Sequence, residues 1–172
     1  SFGEPGFEER ETLENGLKTS SKSGFTDIIL NPNTNPVIDS HSSVSHIYKK
    51  TNNSTTNVHV LACLTKESLG KEIAELHDMH IAGAVAFGDY KKTLNNSNIL
   101  RIALDYVQSF DGLIMSYPCD FDLSKEGLMH EGSVSLKLGI KGIPEIAETS
   151  ILLRDIEILE YTNGRIHFPF IS

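Results

Sequence analysis

Asp89 is the residue of this chain best placed to do chemistry. It comes just after the apolar run Ala84-Val85-Ala86-Phe87, and a carboxylate at the end of a buried strand can ligate a metal or act as a general base. On spacing alone a helix cap or loop carboxylate is the simpler alternative. A second candidate is Asn31-Pro32-Asn33-Thr34-Asn35-Pro36. Amides held between prolines can orient a small polar ligand, and the same amides commonly cap the turn they sit in. His77 and His80 lie three apart on a helical stretch, where a pair could share a metal. No HxH or HExxH accompanies them, and the convergent histidines and carboxylates of a metal hydrolase are not visible. His167 lies within an apolar run and reads as a core histidine. Cys63 and Cys119 show no CxxC spacing and read as reduced, buried thiols. Cys119 has no evident histidine partner, and the glycines form neither a phosphate loop nor a nucleophile elbow.

The elements that would position these residues alternate along the chain. Short, nearly continuous apolar runs predict strands near 26–30, 58–64, 84–87, 113–117 and 166–170, the pattern of parallel strands buried on both faces. Between them, 8–20, 43–50, 71–80, a stretch after Asn98 and a stretch after Pro144 read as helices, with Asn98 as an N-cap and Pro144 in a first turn. Strand–helix alternation implies right-handed crossovers and a parallel sheet, either open or part of a barrel. In both, ligands bind beyond the C-terminal ends of the strands.

Composition bounds the function. The 172 residues are 39% apolar and 22% charged, and 15 Lys+Arg against 23 Asp+Glu give a formal net charge of −8. That balance argues against nucleic acid as the partner. No apolar run approaches the roughly 20 residues of a membrane span. The cysteine usage and the lack of a visible targeting signal fit a cytoplasmic protein.

Several segments resemble dihydroorotases. Glu4-Pro5-Gly6-Phe7-Glu8-Glu9-Arg10-Glu11 is similar to that family's D-P-G-x-E-x-K-E. Gly24-Phe25-Thr26 with Pro32-Asn33-Thr34-Asn35-Pro36 resembles G-F-T…M-P-N-T-x-P, and Val58 to Thr65 with Gly70-Lys71 resembles V-x-P-x-G-A-x-T-x-G…G-K. Gly83-Ala84-Val85-Ala86-Phe87 with Asp89 is similar to G-A-V-A-F-S-D-D-G. Glu131-Gly132 through Glu148 looks like E-G-x-x-S-x-x-L-G-x-x-G-x-P-x-x-A-E. The resemblance runs in order through nearly the whole chain. It implies an α/β fold, a parallel (β/α) barrel of the metal-dependent amidohydrolase type. Here the barrel would be incomplete, about strands 2 to 6 over residues 1–172, with the flanking β-sandwich and the last barrel strands absent, as in a piece of a longer protein.

The resemblance also implies where the family's zinc centre would stand, and there the sequence departs from it. The family's H-x-H-x-R places its second histidine on Ser1 and its substrate arginine on Gly3. The histidine of S-H-C-E falls on Tyr117, and that of H-x-x-H-V-S falls on Phe170. Asp89 remains as a vestigial metal ligand and Asn33 as a vestigial substrate amide. Phe170 offers no donor atom, so no zinc cofactor and no catalytic residue are expected. His167, an odd three residues before Phe170, is expected on the opposite strand face. The implied role is a non-catalytic dihydroorotase-like protein of pyrimidine biosynthesis. It would act as a structural or regulatory partner, with aspartate carbamoyltransferase a candidate, or as a homo-oligomer. The alternative is an active cyclic amidohydrolase that opens the ring amide of dihydroorotate with unusual metal ligands.

Overall fold

Strand and helix alternate from end to end in the structure, a computed structural model that describes residues 2–172. The order is α1 (Leu13–Lys22), β1 (Asp27–Leu30), α2 (His41–Thr51), β2 (Asn57–Ala62), α3 (Leu76–Ile81), β3 (Ala84–Phe87), α4 (Ser97–Val107) and β4 (Ile114–Met115). Then come α5 (Phe121–Ser124), β5 (Met129–His130), α6 (Ser133–Leu138), β6 (Gly142–Ile143), α7 (Ile146–Thr162) and β7 (Ile166–His167). The five strands expected from the apolar runs form one sheet in the order β1-β2-β3-β4-β7, and every pairing is parallel. A second, two-stranded parallel sheet, β5-β6, was not foreseen.

One face of the sheet carries the core. Leu30, Val60, Ala62, Phe87 and Ile114 pack with Leu76, Met79, Leu100, Leu104 and Val107 of the helices. At about 25 cal/mol per Å² of apolar surface, this layer is the main source of stability. The opposite face departs from the expectation of burial on both sides. Ile29 is 48% and Val85 43% exposed, while Leu61 and Ala86 between them are buried. The chain's five-stranded sheet does not close on itself, so the face that a complete barrel would fill stays open in part. Val85 is also the extra residue of a bulge: Val60 pairs with Ala84, whereas Leu61 pairs with Ala86.

Local chemistry sets the helix starts. Thr12 caps α1 through its side chain, which accepts from the Asn15 amide at 3.2 Å, so the helix begins five residues later than its acidic lead suggests. Asn96, not Asn98, caps α4: its side chain accepts from the amides of Asn98 and Ile99. Pro144 stands just ahead of α7 and its carbonyl receives the Ala147 amide. Among the described residues no helix is long and apolar enough to cross a membrane.

Candidate functional site

The loops after β1, β3, β4 and β7 meet at the C-terminal end of the sheet around a cavity of about 210 Å³. Asp89, Tyr90 and Lys91 reach it from β3, Ser116 and Tyr117 from β4, and His167 and Phe170 from β7. Asn31 lines it from the loop after β1; Asn33 is exposed and stands outside the lining. The sequence reading had singled out Asp89, Tyr117 and Phe170, and the fold brings them together.

Asp89 is 8% exposed, and its oxygens are turned toward the end of β2. Oδ1 accepts from the Leu64 amide at 3.0 Å and the Thr65 amide at 3.1 Å, and Oδ2 accepts from the Thr65 hydroxyl. Burial pushes its pKa up from the usual aspartate value, and the bonds from Thr65 and Leu64 pull it back. The carboxylate therefore braces the loop after β2, as in the structural alternative raised by its spacing.

Tyr117 and Phe170 lie with ring centroids 6.0 Å apart and planes at 71°. Tyr90 meets Phe170 at 6.2 Å, and Phe121 stacks beside Tyr117 at 6.1 Å. Burial, and then the charges of Cys119 and Glu148, raise the Tyr117 phenol above its ordinary pKa, so it stays neutral near pH 7. His167 corrects two expectations. It is exposed rather than a core residue, and it lines the same cavity as Phe170. β7 ends at His167, and strand alternation does not extend through Pro169 to Phe170. Ile166, not His167, faces the core.

The other candidates are used elsewhere. His77 and His80 flank Phe110, with centroids 5.4 and 4.7 Å from it. Cys63 is fully buried, but Cys119 is only partly so, and its thiol reaches the Ser124 hydroxyl at 3.5 Å. Ser1 lies outside the described residues. Gly3 is buried, and a Cβ on it would stand 2.0 Å from the Phe7 carbonyl oxygen, so this backbone has no room for an arginine there. Among the described residues no group of three or more His, Cys, Asp or Glu could hold a metal ion. At the rim, a neutral phenol and a phenyl ring stand beside the imidazole of His167 and a carboxylate already holding protein donors, a set poorer in metal donors than a zinc centre with several histidines.

Comparison with known proteins places this geometry in a family. The dihydro-orotase-like family model matches residues 1–172. The chain belongs to the dihydro-orotase-like family. It is 41% identical over 169 residues to a dihydroorotase of Pelotomaculum thermopropionicum and 39% identical over 170 residues to one of Syntrophus aciditrophicus. Each alignment takes in 98% of this chain and 40% of the relative, so the chain spans about 40% of the length of these curated relatives. In fold it is similar to an L-hydantoinase (dihydropyrimidinase) from Arthrobacter aurescens, with a TM-score of 0.62 at 14% identity. That match covers 87% of this chain and 35% of the hydantoinase. The parallel sheet is thus part of a (β/α) barrel of the amidohydrolase type, and the cavity lies at the barrel end where such folds carry their sites. Asn31 lines the rim from the amide loop that the sequence offers as a candidate, whereas Lys91 and His167 were missed as rim residues. The position after a strand end was the available signal, and for His167 the strand-face argument overrode it.

Proposed function

We propose that this chain is a dihydroorotase-like protein of pyrimidine biosynthesis that does not hydrolyse dihydroorotate through zinc. It serves instead as a structural or regulatory partner in a cytoplasmic assembly, with aspartate carbamoyltransferase the candidate. The observation that carries this reading is the contact between Tyr117 and Phe170. Two positions that the family resemblance assigns to metal-binding histidines hold rings in mutual contact. A zinc-bound water needs anionic or imidazole donors around the metal to reach a useful pKa, and these rings supply none. The closed backbone at Gly3 supports the same reading for the substrate arginine. The role of a protein partner draws support from the 128–140 segment, where Leu128 is 82%, Leu136 81% and Leu138 61% exposed.

The test is metal content and turnover on one preparation. Zinc per chain, measured by elemental mass spectrometry, should fall far below stoichiometric, and dihydroorotate should not turn over at neutral pH with zinc added. Tightly bound zinc with clear turnover would establish the active amidohydrolase instead. Sedimentation with aspartate carbamoyltransferase checks the partner: a shared boundary is expected, and separate boundaries remove that candidate.

A further inference from the structure

Three pairs in this chain place an Asn or Asp directly before a glycine: Asn15-Gly16, Asp111-Gly112 and Asn163-Gly164. Such a pair is chemically labile wherever the glycine nitrogen can reach the preceding side chain, because no Cβ hinders its approach. The fold treats the three differently. The Gly16 amide donates to the Thr12 carbonyl at 3.0 Å where α1 begins, and the Asn15 carboxamide is held by Glu11 at 2.9 Å. The Gly112 amide donates to the Val107 carbonyl at 2.8 Å. Among the described residues the Gly164 amide has no hydrogen-bond partner, and neither has the Asn163 carboxamide.

Asn163 closes α7. Its amide donates to the Leu159 carbonyl at 2.8 Å, and its φ of +52° and ψ of 31° lie in the left-handed region. Asparagine enters that region more readily than most residues, and helices commonly end this way. The bond to Leu159 fixes the chain on the helix side of Asn163. The ψ rotation that carries the Gly164 nitrogen toward Cγ lies on the other side, in the turn 163–165 between α7 and β7. Asn163 is exposed, so water reaches its carboxamide.

We propose that Asn163 is a site of spontaneous deamidation through a cyclic imide, with water as the co-reactant. The Gly164 nitrogen gives its proton to solvent base and bonds to Cγ of Asn163. The bond from Cγ to the carboxamide nitrogen breaks, and that nitrogen takes a proton and leaves as ammonia. Water then adds to either carbonyl of the imide ring and opens it. One opening yields aspartate. The other yields isoaspartate, in which the backbone runs through the former side chain. Nothing is oxidised or reduced.

The modification falls on a joint of three elements. Gln108, just after α4, donates to the Thr162 carbonyl at 2.8 Å. Gly164 packs so closely on Leu104 of α4 that a Cβ on it would stand 2.8 Å from Leu104 Cδ2. β7 begins two residues later and pairs with β4 through Ile166 and Ile114. The new carboxylate arises at the C-terminal end of α7, where the helix dipole opposes negative charge. In the isoaspartate form the lengthened backbone is pressed against Leu104. Deamidation at Asn163 therefore loosens α7 and β7 from α4 and yields a more acidic, less stable form of the chain.

The experiment ages the chain at mildly alkaline pH, folded and in urea, and follows the tryptic peptides 11–18 and 155–165 by mass spectrometry. In the folded chain Asn163 should convert at least ~10-fold faster than Asn15, whose reaction waits on local opening of α1. Isoaspartate should exceed aspartate in the product, and the rate should rise with pH as the Gly164 nitrogen loses its proton more readily. In urea the two Asn-Gly pairs should convert at similar rates. Asn163→Gly, which suits the left-handed cap, should abolish the acidic species that ion exchange separates from aged wild type. That species should melt at a lower temperature than fresh protein, and equal melting would overturn the loosening of the joint. A 155–165 peptide that stays unconverted in the folded chain, equal folded-state rates at Asn15 and Asn163, or aspartate without isoaspartate would each overturn the proposal.

Discussion

Thr65 gives both its donors to Asp89: its amide reaches Oδ1 at 3.1 Å and its hydroxyl bonds Oδ2. With the Leu64 amide at 3.0 Å, the carboxylate ties the end of β3 to the loop after β2, so Asp89 is a structural brace. Asp89→Ala leaves these buried donors unsatisfied and should cost about 3 kcal/mol of stability in urea unfolding. An alanine variant as stable as the wild type would show that the brace carries no weight. Burial raises the Asp89 pKa above the usual 3.8. Its carboxyl therefore stabilises the fold most below the unfolded value, and that contribution erodes as pH rises through the folded value. Asparagine does not titrate. The stability of Asp89→Asn relative to wild type should thus improve as pH rises from about 3.5 to 7, and a flat difference would contradict burial as the dominant cause.

How much of this was legible in the sequence differs by element. The five main strands could be read because each is a compact apolar run closed by a polar turn, as Ala84–Phe87 is by Gly88-Asp89. β5 and β6, Met129–His130 and Gly142–Ile143, are no shorter than β4, but they lie in no apolar run like the Leu113-Ile114-Met115 that marks β4, so nothing in the pattern registers them. At the site, the positions of Asp89, Tyr117 and Phe170 followed from the rule that strands deliver their ends to one rim. The failure at His167 came from extending strand alternation past the point where pairing stops. Lys91 gave no sequence signal of its own, because its positive φ and its place beside the Tyr90 and Phe170 rings, from the loops after β3 and β7, arise only in the folded chain.

The N-terminal segment is fixed to the loop after β1 by a close backbone approach. The Asn35 amide donates to the Pro5 carbonyl at 2.9 Å. Gly6 has φ +94°, and a Cβ on it would lie 2.1 Å from the Asn35 carbonyl oxygen. Gly6→Ala meets both a forbidden dihedral and a backbone clash, and should cost about 1–3 kcal/mol. Faster amide hydrogen exchange at Asn35 is the expected local signature. Unchanged protection there would mean that the approach is not maintained in solution.

The two thiols should differ in reactivity. Cys63 is fully buried, and burial, followed by the charges of Asp89 and Asp39, pushes its thiol pKa well up. Cys119 is partly exposed. Iodoacetamide attacks thiolates, so at about pH 8 it should label Cys119 in the native protein and leave Cys63 unmodified until urea unfolds the chain. Mass spectrometry of the tryptic peptides reads this directly, and native labelling of Cys63 at the rate of Cys119 would refute its closure in the core.

α7 is joined to the rim through a buried charge. Asp155 is 0% exposed and accepts from the Ser116 hydroxyl at 2.5 Å and from Arg154 at 2.9 Å through Nε and 2.6 Å through Nη2. Arg154 in turn donates to the Leu94 carbonyl at 2.8 Å. One carboxylate thus holds three elements in register: the end of β4 just before Tyr117, the lead into α4, and α7 itself. Asp155→Ala leaves a mostly buried guanidinium without its counter-charge, and removing one partner of a buried pair costs about 3–5 kcal/mol. Ser116→Ala removes one hydrogen bond to a charged acceptor and should cost about 1.5–3 kcal/mol. Because both changes act on the same carboxylate, their effects should not add: the double variant should lose less than the two single losses together. Urea unfolding of the four proteins measures this coupling, and strict additivity would show that Ser116 and Asp155 act independently. The Ser116→Ala variant, the milder of the two, should also broaden the ring resonances of Tyr117, since the strand end that carries this ring loses its anchor on α7.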